Sequence, residues 1–141
     1  MKRIILLVIF VQAAIMGMAQ NRADLSIVIT GLKNTDGQVL IALFDGPESF
    51  PETASSAMSS QKLSISGDTV RASFMGLPTG VYAVSFVHDE NRNDIMDKRM
   101  GIPREKYGVS NNIRMGFGPP SFNEAKFYIK GDTTIYIKPS N

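Results

Sequence analysis

Residues 25–30 of this chain read LSIVIT and residues 39–44 read VLIALF, so large apolar side chains recur at every second position. A period of two residues is typical of a β-strand that buries one face. Residues 34–37, which read NTDG, supply the Asn, Asp and Gly conformers of a short turn between the two runs. The pattern therefore predicts two strands that pair as a hairpin.

The same pattern recurs along the rest of the chain. Alternating apolar residues flank Gly67 and predict a second hairpin, and residues 81–88 predict one further strand. Residues 125–130 and 133–138 predict a third hairpin across a Gly-Asp pair. About seven short strands separated by turn signals favour an all-β fold, a single immunoglobulin-like or prealbumin-like β-sandwich.

The first residues carry the features of a secretory signal. Lys2 and Arg3 precede an apolar run, and residues 17–19 read GMA, a small-x-small cleavage site. These features predict removal of residues 1–19 and a mature domain at residues 20–141. The apolar run is too short to span a bilayer comfortably, so we expect no membrane span after cleavage and a periplasmic or secreted location in a bacterium.

The charge and the cysteine content of the mature domain bear on its partners. The chain has 15 Lys and Arg residues against 13 Asp and Glu residues, and losing Lys2 and Arg3 leaves equal numbers of basic and acidic side chains. A neutral domain without a basic cluster has no electrostatic footprint for nucleic acid. Because the chain has no cysteine, we expect neither a disulfide framework nor a lipoprotein anchor.

Two segments lack strand character. Residues 46–61 carry two prolines and a Ser/Ala-rich run, and they predict a connection with one helical turn and no functional role. Residues 100–124 are rich in Gly and Pro but contain Tyr107, Phe117 and Phe122. A structureless loop of that length is uncommon in a compact domain unless it is functional, and aromatic residues argue against disorder. We therefore expect one long ordered loop there.

Residues 88–97 read HDENRNDIMD and place oxygen-bearing side chains at alternating positions. When Asp89 is counted as position 1, Asn91, Asn93 and Asp97 occupy positions 3, 5 and 9, and the backbone carbonyl of Ile95 occupies position 7. Such alternating oxygens are the ligand spacing of a calcium loop. The sequence therefore predicts calcium as a cofactor held by these five residues.

The loop departs from an EF-hand at two positions. Asp94 stands at position 6, where Gly is usual, and Met100 stands at position 12, where a bidentate Glu is usual. Asp tolerates a positive φ, so Asp94 permits the turn, and Glu90 or Glu105 could supply the missing acid. The competing interpretation is an Asx-rich turn without an ion, since Asn and Asp favour turns by bonding their own backbone.

His88 is the single histidine of the chain and shares a strand face with Tyr82 and Phe86. The simplest interpretation is a residue at the rim of the core, because one histidine without cysteine does not make a zinc site. We therefore predict no catalytic residue. The competing hypothesis is a small exported hydrolase that uses His88 with Asp89 or Glu105.

The turn at residues 76–82, which reads GLPTGVY, resembles the Leu-Pro-x-Gly-x-Tyr turn of secreted sandwich modules of the prealbumin-like and collagen-adhesin B-repeat type. Together with residues 88–97, residues 101–112 (GIPREKYGVSNN) and residues 118–125 (GPPSFNEA), it resembles the uncharacterised bacterial family catalogued as domain of unknown function 2141. The resemblance covers nearly the whole mature chain. It implies an exported single-domain β-protein and no particular activity.

We therefore predict a binding or structural module rather than an enzyme. Rigid scaffolds place recognition on loops, so we expect an unknown protein or carbohydrate ligand to contact the long loop. The candidate contact residues are Tyr107, Asn111, Asn112, Phe117 and Phe122. The competing interpretation is that these residues cover an open sheet edge.

Overall fold

The apolar alternation of the sequence is realised as two β-sheets stacked face to face. This computed structural model describes residues 21–48, 50–52, 54–114, 116 and 118–140, and the signal predicted at residues 1–19 lies outside them. Within the described residues the chain forms ten strands, one α-helix and two 3₁₀ turns. None of the described helices is long and apolar enough to cross a membrane.

The strands are, in chain order, β1 (Arg22–Thr30), β2 (Gln38–Phe44), β3 (Ser59–Ser64), β4 (Thr69–Pro78), β5 (Gly80–Asp89), β6 (Lys98–Arg99), β7 (Ile102–Pro103), β8 (Tyr107–Val109), β9 (Phe127–Ile129) and β10 (Thr133–Ile137). The helix α1 is Phe122–Ala125, and the 3₁₀ turns are Ala54–Ser56 and Ser110–Asn112. One sheet has the order β10-β1-β4, and the other has the order β3-β2-β5-β8 with β9 paired to the start of β5. β6 and β7 form a separate ribbon. The predicted all-β sandwich is confirmed.

The core lies between the two sheets. Side chains from β1 and β4 meet side chains from β2 and β5, and the largest of them are almost closed to solvent: Leu25, Ile27, Ile29, Val39, Ile41, Leu43, Phe74, Val84 and Phe86. Burying one Leu, Ile or Phe side chain contributes about 1.5 to 3 kcal/mol. This layer is therefore the main source of the free energy of folding, and it explains why large apolar side chains occupy every second position of β1 and β2.

The predicted hairpin between the first two strands is wrong, because the turn carries the chain from one sheet to the other. β1 pairs with β4 and β10, whereas β2 pairs with β3 and β5. Residues 31–37 connect β1 to β2 as an arch at the edge of the core, and Leu32 within the arch packs against the core cluster. The arch is longer than a two-residue hairpin loop, and Leu32 anchors it across the two layers.

The other two predicted hairpins are wrong for the same reason. β3 pairs with β2 while β4 pairs with β1, so residues 65–68 also cross between the sheets. β9 pairs with β5 while β10 pairs in parallel with β1, so residues 130–132 cross as well. In each case the inward faces of two consecutive strands meet across the core instead of lying side by side.

The two segments without strand character contain short regular elements. Residues 46–61 include the expected helical turn, at Ala54–Ser56, and the beginning of β3. Residues 100–124 include β7, β8 and the first residues of α1, and β8 pairs with β5 as an outer strand of the larger sheet. The long loop therefore supplies one edge of the sandwich.

Helix α1 begins with a capping box. The Ser121 side chain accepts a hydrogen bond from the Glu124 backbone N–H, and the Glu124 carboxylate accepts from the Ser121 N–H at 2.8 Å. The pKa of Glu124 lies below its ordinary value, mainly because its carboxylate accepts a hydrogen bond from the Ser121 N–H and secondly because it accepts one from the Ser121 hydroxyl. The cap fixes the start of α1, so that the helix can bury Ala125 against the larger sheet.

Candidate functional site

The Asp89 loop, residues 89–97, begins where β5 ends. Asp89 is fully buried, and its carboxylate accepts hydrogen bonds from the backbone N–H of Asn93 at 3.1 Å and of Asp94 at 3.0 Å. Positive φ angles of 59° at Arg92 and 66° at Asp94 fold the chain back over Asp89. A buried carboxylate is stable only when donors surround it, so Asp89 fixes the shape of this turn.

The other predicted ligand side chains of the Asp89 loop converge on Asp97. The Asn91 amide donates to one Asp97 carboxylate oxygen at 2.8 Å, and the Asn93 amide donates to the other at 2.9 Å. Asn91 Oδ1 accepts from the Asn93 N–H at 3.1 Å, and Asn93 Oδ1 accepts from the Ile95 N–H at 3.0 Å. The structure therefore brings Asp89, Asn91, Asn93 and Asp97 together at one end of the larger sheet.

The metal-binding capacity of the Asp89 loop rests on a mixed ligand set. Among the described residues, no three His, Cys, Asp or Glu side chains come close enough together to hold a metal ion. A cation in the loop would therefore need neutral amide and carbonyl oxygens in addition to the Asp89 and Asp97 carboxylates. Hard cations such as calcium accept that combination, whereas softer transition metals prefer nitrogen or sulfur ligands.

Glu105 joins the two ends of the Asp89 loop from outside it. Its buried carboxylate accepts the backbone N–H of Glu90 through one oxygen and the backbone N–H of Asp97 through the other, both at 3.0 Å. This carboxylate fixes the separation of the loop ends. Glu90, the other acid considered for the loop, instead lies within 3.7 Å of Lys33 in the arch that follows β1.

Asp94 is held at the surface by two side chains. Its carboxylate lies 2.7 Å from the Lys62 ammonium and accepts from the Gln38 side-chain amide at 2.9 Å. The hydrogen bond from Lys62 is the main reason that the pKa of Asp94 lies below its ordinary value. Gln38 also donates to the buried Asp89 carboxylate at 2.8 Å. Gln38 therefore links the buried start of the Asp89 loop to an exposed ion pair.

Replacing Lys62 by alanine is expected to raise the pKa of Asp94 toward its ordinary value, because the strongest stabilising partner of the carboxylate is removed. In the parent protein this pair stabilises the fold above the unfolded pKa of Asp94, and that contribution is lost as the pH falls through the lowered folded pKa. The contribution is small because the pair is exposed. NMR titration of the Asp94 carboxyl measures the midpoint, and Lys33→Ala is the control. An unchanged midpoint in Lys62→Ala would contradict the ion pair.

A cleft opens over the outer face of the five-stranded sheet. The strand registers align outward side chains in rows across β3, β2, β5 and β8. The two rows under the cleft are Lys62-Leu40-Val87-Tyr107 and Ser60-Ala42-Ser85-Val109. Polar side chains occupy the β3 end of each row, and apolar or aromatic side chains occupy the β8 end.

Two adjoining cavities, of about 470 and 480 Å³, make up the cleft. Cavities of this size are typical of sites for small molecules. Both cavities are lined by Pro51, Glu52, Ser85, Phe86, Val87, Met96 and Lys98. Because Met96 belongs to the Asp89 loop, that loop forms one wall of the cleft. Lys98 pairs with Glu52 at 2.7 Å, so the charges on this wall are balanced.

The far end of the same sheet face is closed by an aromatic group. Phe50 packs edge-on against Phe44, with ring centroids 5.2 Å apart, and against Phe122, at 5.9 Å. The buried Ser110 hydroxyl donates to the Ala125 carbonyl at 2.6 Å and so ties α1 to the sheet. The cleft is therefore the open part of a face that is otherwise covered.

His88 lies on the core side of β5 and does not line either cavity of the cleft. It is fully buried, and its Nε2 lies 2.8 Å from the Asp36 carbonyl oxygen. A carbonyl oxygen only accepts, so Nε2 carries the hydrogen, while Nδ1 has no partner among the described residues. Glu105 does not line either cavity. The pocket-lining pair that the hydrolase hypothesis requires is therefore not found at the cleft.

The predicted contact residues lie in different places. Tyr107 is on the cleft floor, and Phe122 belongs to the aromatic group. The Asn111 amide donates to two carbonyls at the end of α1, at 3.0 and 3.1 Å. The Asn112 side chain bonds to the backbone along the outer edge of β10, at 3.1 and 2.8 Å. Phe117 lies outside the described residues.

The sequence patterns did not single out the cleft residues Pro51, Val87, Met96 and Lys98. One signal was available, because residues 39–44 are apolar at every position and not only at alternating ones. A strand that is apolar on both faces is covered on both faces or lines a binding surface. That pattern pointed to the outer face of β2 but could not identify the other strands that share it.

Comparison with known proteins identifies a family but no individual relative. The family model described as an uncharacterised protein conserved in bacteria, DUF2141, matches residues 27–136. The match confirms the resemblance that the sequence motifs indicated. No curated protein and no solved structure matches the chain significantly.

Proposed function

Because the chain belongs to DUF2141, a family of uncharacterised bacterial proteins, we propose its function from its own geometry: an exported β-sandwich module that binds a ligand in the cleft and is stabilised by calcium in the Asp89 loop. One observation carries the proposal. Met96 lies between the candidate calcium ligands Ile95 and Asp97, and it lines both cavities of the cleft. Calcium that orders the Asp89 loop would therefore also order one wall of the cleft.

The arrangement of the oxygens supports the calcium part of the proposal. Asp89 Oδ1 and Asn91 Oδ1 both lie 3.1 Å from the Asn93 backbone nitrogen, so they are neighbours. The Asp97 carboxylate faces the amides of Asn91 and Asn93. A calcium ion between these groups would replace the amide N–H donors as the partner of Asp97 and would draw on carboxylate, amide and carbonyl oxygens.

Export is supported by the sequence. The basic start, the short apolar run and the GMA site at residues 17–19 match a cleaved signal. A calcium site with two carboxylates and two neutral amides has the modest affinity of extracellular modules, about 10⁻⁴ to 10⁻³ M. Millimolar calcium outside the cytoplasm would be enough to fill such a site. A periplasmic or secreted location and a weak calcium loop are therefore mutually consistent.

Calcium is expected to stabilise the folded protein. If the dissociation constant is about 0.1 mM and free calcium is about 1 mM, mass action adds about 1.4 kcal/mol to the free energy of unfolding. For a domain of this size the melting temperature should rise by about 5 °C. Differential scanning calorimetry in chelator and in millimolar calcium measures the change, and magnesium serves as a selectivity control.

Asp97→Ala is the variant that tests the site, because the Asp97 carboxylate bonds to the side chains of Asn91 and Asn93. We expect this variant to lose the calcium-dependent rise. Asp68→Ala removes an exposed carboxylate on the connection between β3 and β4 and should keep the full rise. Identical melting curves for the parent protein with and without calcium, together with no heat in a calcium titration, would leave the loop as an Asx-rich turn.

A further inference from the structure

We propose that the cleft binds a neutral single-chain amphiphile, with its hydrocarbon tail toward β8 and a hydroxyl-bearing head group toward β3. The inference rests on the proposed binding function and names its ligand class. This ligand class differs from the protein or carbohydrate ligand expected from the sequence. It is chosen because of the polarity of the cleft floor and walls.

The β8 end of the cleft has the chemistry of a hydrocarbon site. Val87, Val109 and the ring of Tyr107 form its floor, and Ile102, Pro103 and Met96 form its walls. Transfer of apolar surface from water into such a site is favourable by about 25 cal/mol per Å². Ile102 is 70% exposed, so apolar surface also continues out to the mouth of the cleft. An acyl chain would cover this surface.

The middle of the floor, on β2 and β5, offers few hydrogen-bonding groups to a ligand. β2 lies between β3 and β5, and β5 lies between β2 and β8, so the backbone of these two central strands is engaged within the sheet. The Ser85 hydroxyl donates to the Pro51 carbonyl at 3.0 Å. A peptide or a sugar in the middle of the cleft would bury polar groups without partners, at a cost of about 1 to 3 kcal/mol each. A hydrocarbon chain carries no such cost.

The β3 end of the cleft is polar but electrically balanced. The cavity at this end is lined by two lysines and two acids together with Ser55, Ser60 and Gln61. The ammonium groups of Lys62 and Lys98 each lie 2.7 Å from a carboxylate, of Asp94 and of Glu52. In either pair, the carboxylate would repel an anionic head group and the ammonium would repel a cationic one. Charge complementarity therefore favours an uncharged head group that donates and accepts hydrogen bonds.

The length of the cleft suits one chain. Its floor crosses four strands, and three spacings between neighbouring strands amount to roughly 14 Å. That span matches a medium-length acyl chain better than a two-chain lipid or a globular partner. Both cavities lie on one sheet face and share Ser85, Phe86 and Val87 of β5, so the chain would lie across the strands.

The test compares three amphiphiles that each carry one ten-carbon chain and differ in the charge of the head group. Monodecanoylglycerol is neutral, decanoate is anionic and decyltrimethylammonium is cationic. The mature protein is titrated in millimolar calcium and followed by heteronuclear NMR below the concentration at which the probes form micelles. We expect the neutral probe to bind at least about tenfold more tightly than either charged probe. Its chemical-shift changes should be confined to the two rows under the cleft, which contain Leu40 and Ala42.

Matched variants test the position of the tail. Val87→Thr makes the floor polar without changing its shape and should weaken binding about fivefold. Val81→Thr alters an exposed valine on the same face of the same strand, outside the cleft, and should leave affinity within about twofold. Met96→Ala should weaken binding about tenfold, whereas Met75→Ala, at an exposed methionine on β4, should not.

Each other outcome overturns the inference in a distinct way. Equal or tighter binding of a charged probe would exclude the neutral head group. Binding to phosphatidylcholine vesicles without binding of monomeric probe would identify a membrane-docking surface instead. If no probe binds while calcium still raises the melting temperature, the amphiphile inference fails and the calcium loop stands. If neither calcium nor any probe has an effect, the proposed function fails as well.

Discussion

Replacing Gly37 by alanine is expected to destabilise the folded protein by about 3 kcal/mol or more. Gly37 has a φ of +68°, a conformation that costs an alanine roughly 1 kcal/mol on its own. The larger effect is a close approach of two backbones. A Cβ atom at this position would overlap the Asp89 carbonyl oxygen and would lie 2.6 Å from Glu90 Cα. Because the obstacle is backbone, either the arch after β1 or the start of the Asp89 loop would have to move.

Gly46→Ala is the matched control for this substitution. A Cβ atom at Gly46 meets no atom of the described residues within 4 Å, and Gly46 is not among the described residues with positive φ. Its replacement should be neutral or slightly stabilising, because alanine has less conformational freedom in the unfolded chain. Urea denaturation measures both free energies of unfolding. Similar values for the two variants would mean that the arch and the Asp89 loop are not in close contact.

Replacing Asp89 by alanine is expected to cost about 3 kcal/mol even in the absence of calcium. The buried carboxylate accepts the Asp94 N–H at 3.0 Å and the Gln38 amide at 2.8 Å, in addition to the Asn93 N–H. Hydrogen bonds to a charged group contribute about 1.5 to 3 kcal/mol each, and a buried donor left without a partner adds a desolvation penalty. Urea denaturation in chelator isolates this structural contribution.

Two further aspartate variants separate burial from charge. Asp68→Ala removes an exposed carboxylate and should change the free energy of unfolding by no more than about 0.5 kcal/mol. Asp89→Asn retains one oxygen acceptor and should fall between the parent and Asp89→Ala. An Asp89→Ala variant as stable as the parent in chelator would contradict the role of Asp89 in holding the turn.

The sequence predicted the strands well and their connections badly. The large apolar side chains at every second position of residues 25–30 and 39–44 indicate that each strand turns one face to the core, and both runs are strands in the structure. Alternation does not say whether two buried faces belong to one sheet or to opposite sheets. Turn residues such as those of the NTDG stretch permit a reversal of direction in either case. The placement of Leu32 against the core accompanies the crossing, and that contact depends on distant strands.

The sequence did not predict the shorter elements β8 and α1, for a different reason. β8 is only Tyr107–Val109, too short to show a period, and it becomes a strand because β5 presents a free edge to it. Helix α1 had a local signal, since Ser121 and Glu124 form the S-x-x-E pattern of a capping box. Only Ala125 follows Glu124 within the helix, so no helical period accompanies this signal.

The Asp89 loop and the cleft show the same contrast between local and distant information. Asp89, Asn91, Asn93 and Asp97 lie within nine consecutive residues, and their spacing alone predicted that their side chains would converge. The cleft takes its floor from four strands whose order in the sheet is not their order in the chain. Its position could not be predicted without the pairing register, which depends on the whole fold.

The parallel pairing of β1 with β10 constrains the order of folding. Leu25 finds its partner Thr133 about a hundred residues later, so the smaller sheet closes only when the last described strand is available. Pairing over such a separation makes folding slow, because chain entropy is lost before the contact forms. Until then β1 has an unpaired edge and the nascent polypeptide has no complete core. If the protein is exported as we propose, a chain that stays open for that long can pass through a secretion channel in the unfolded state.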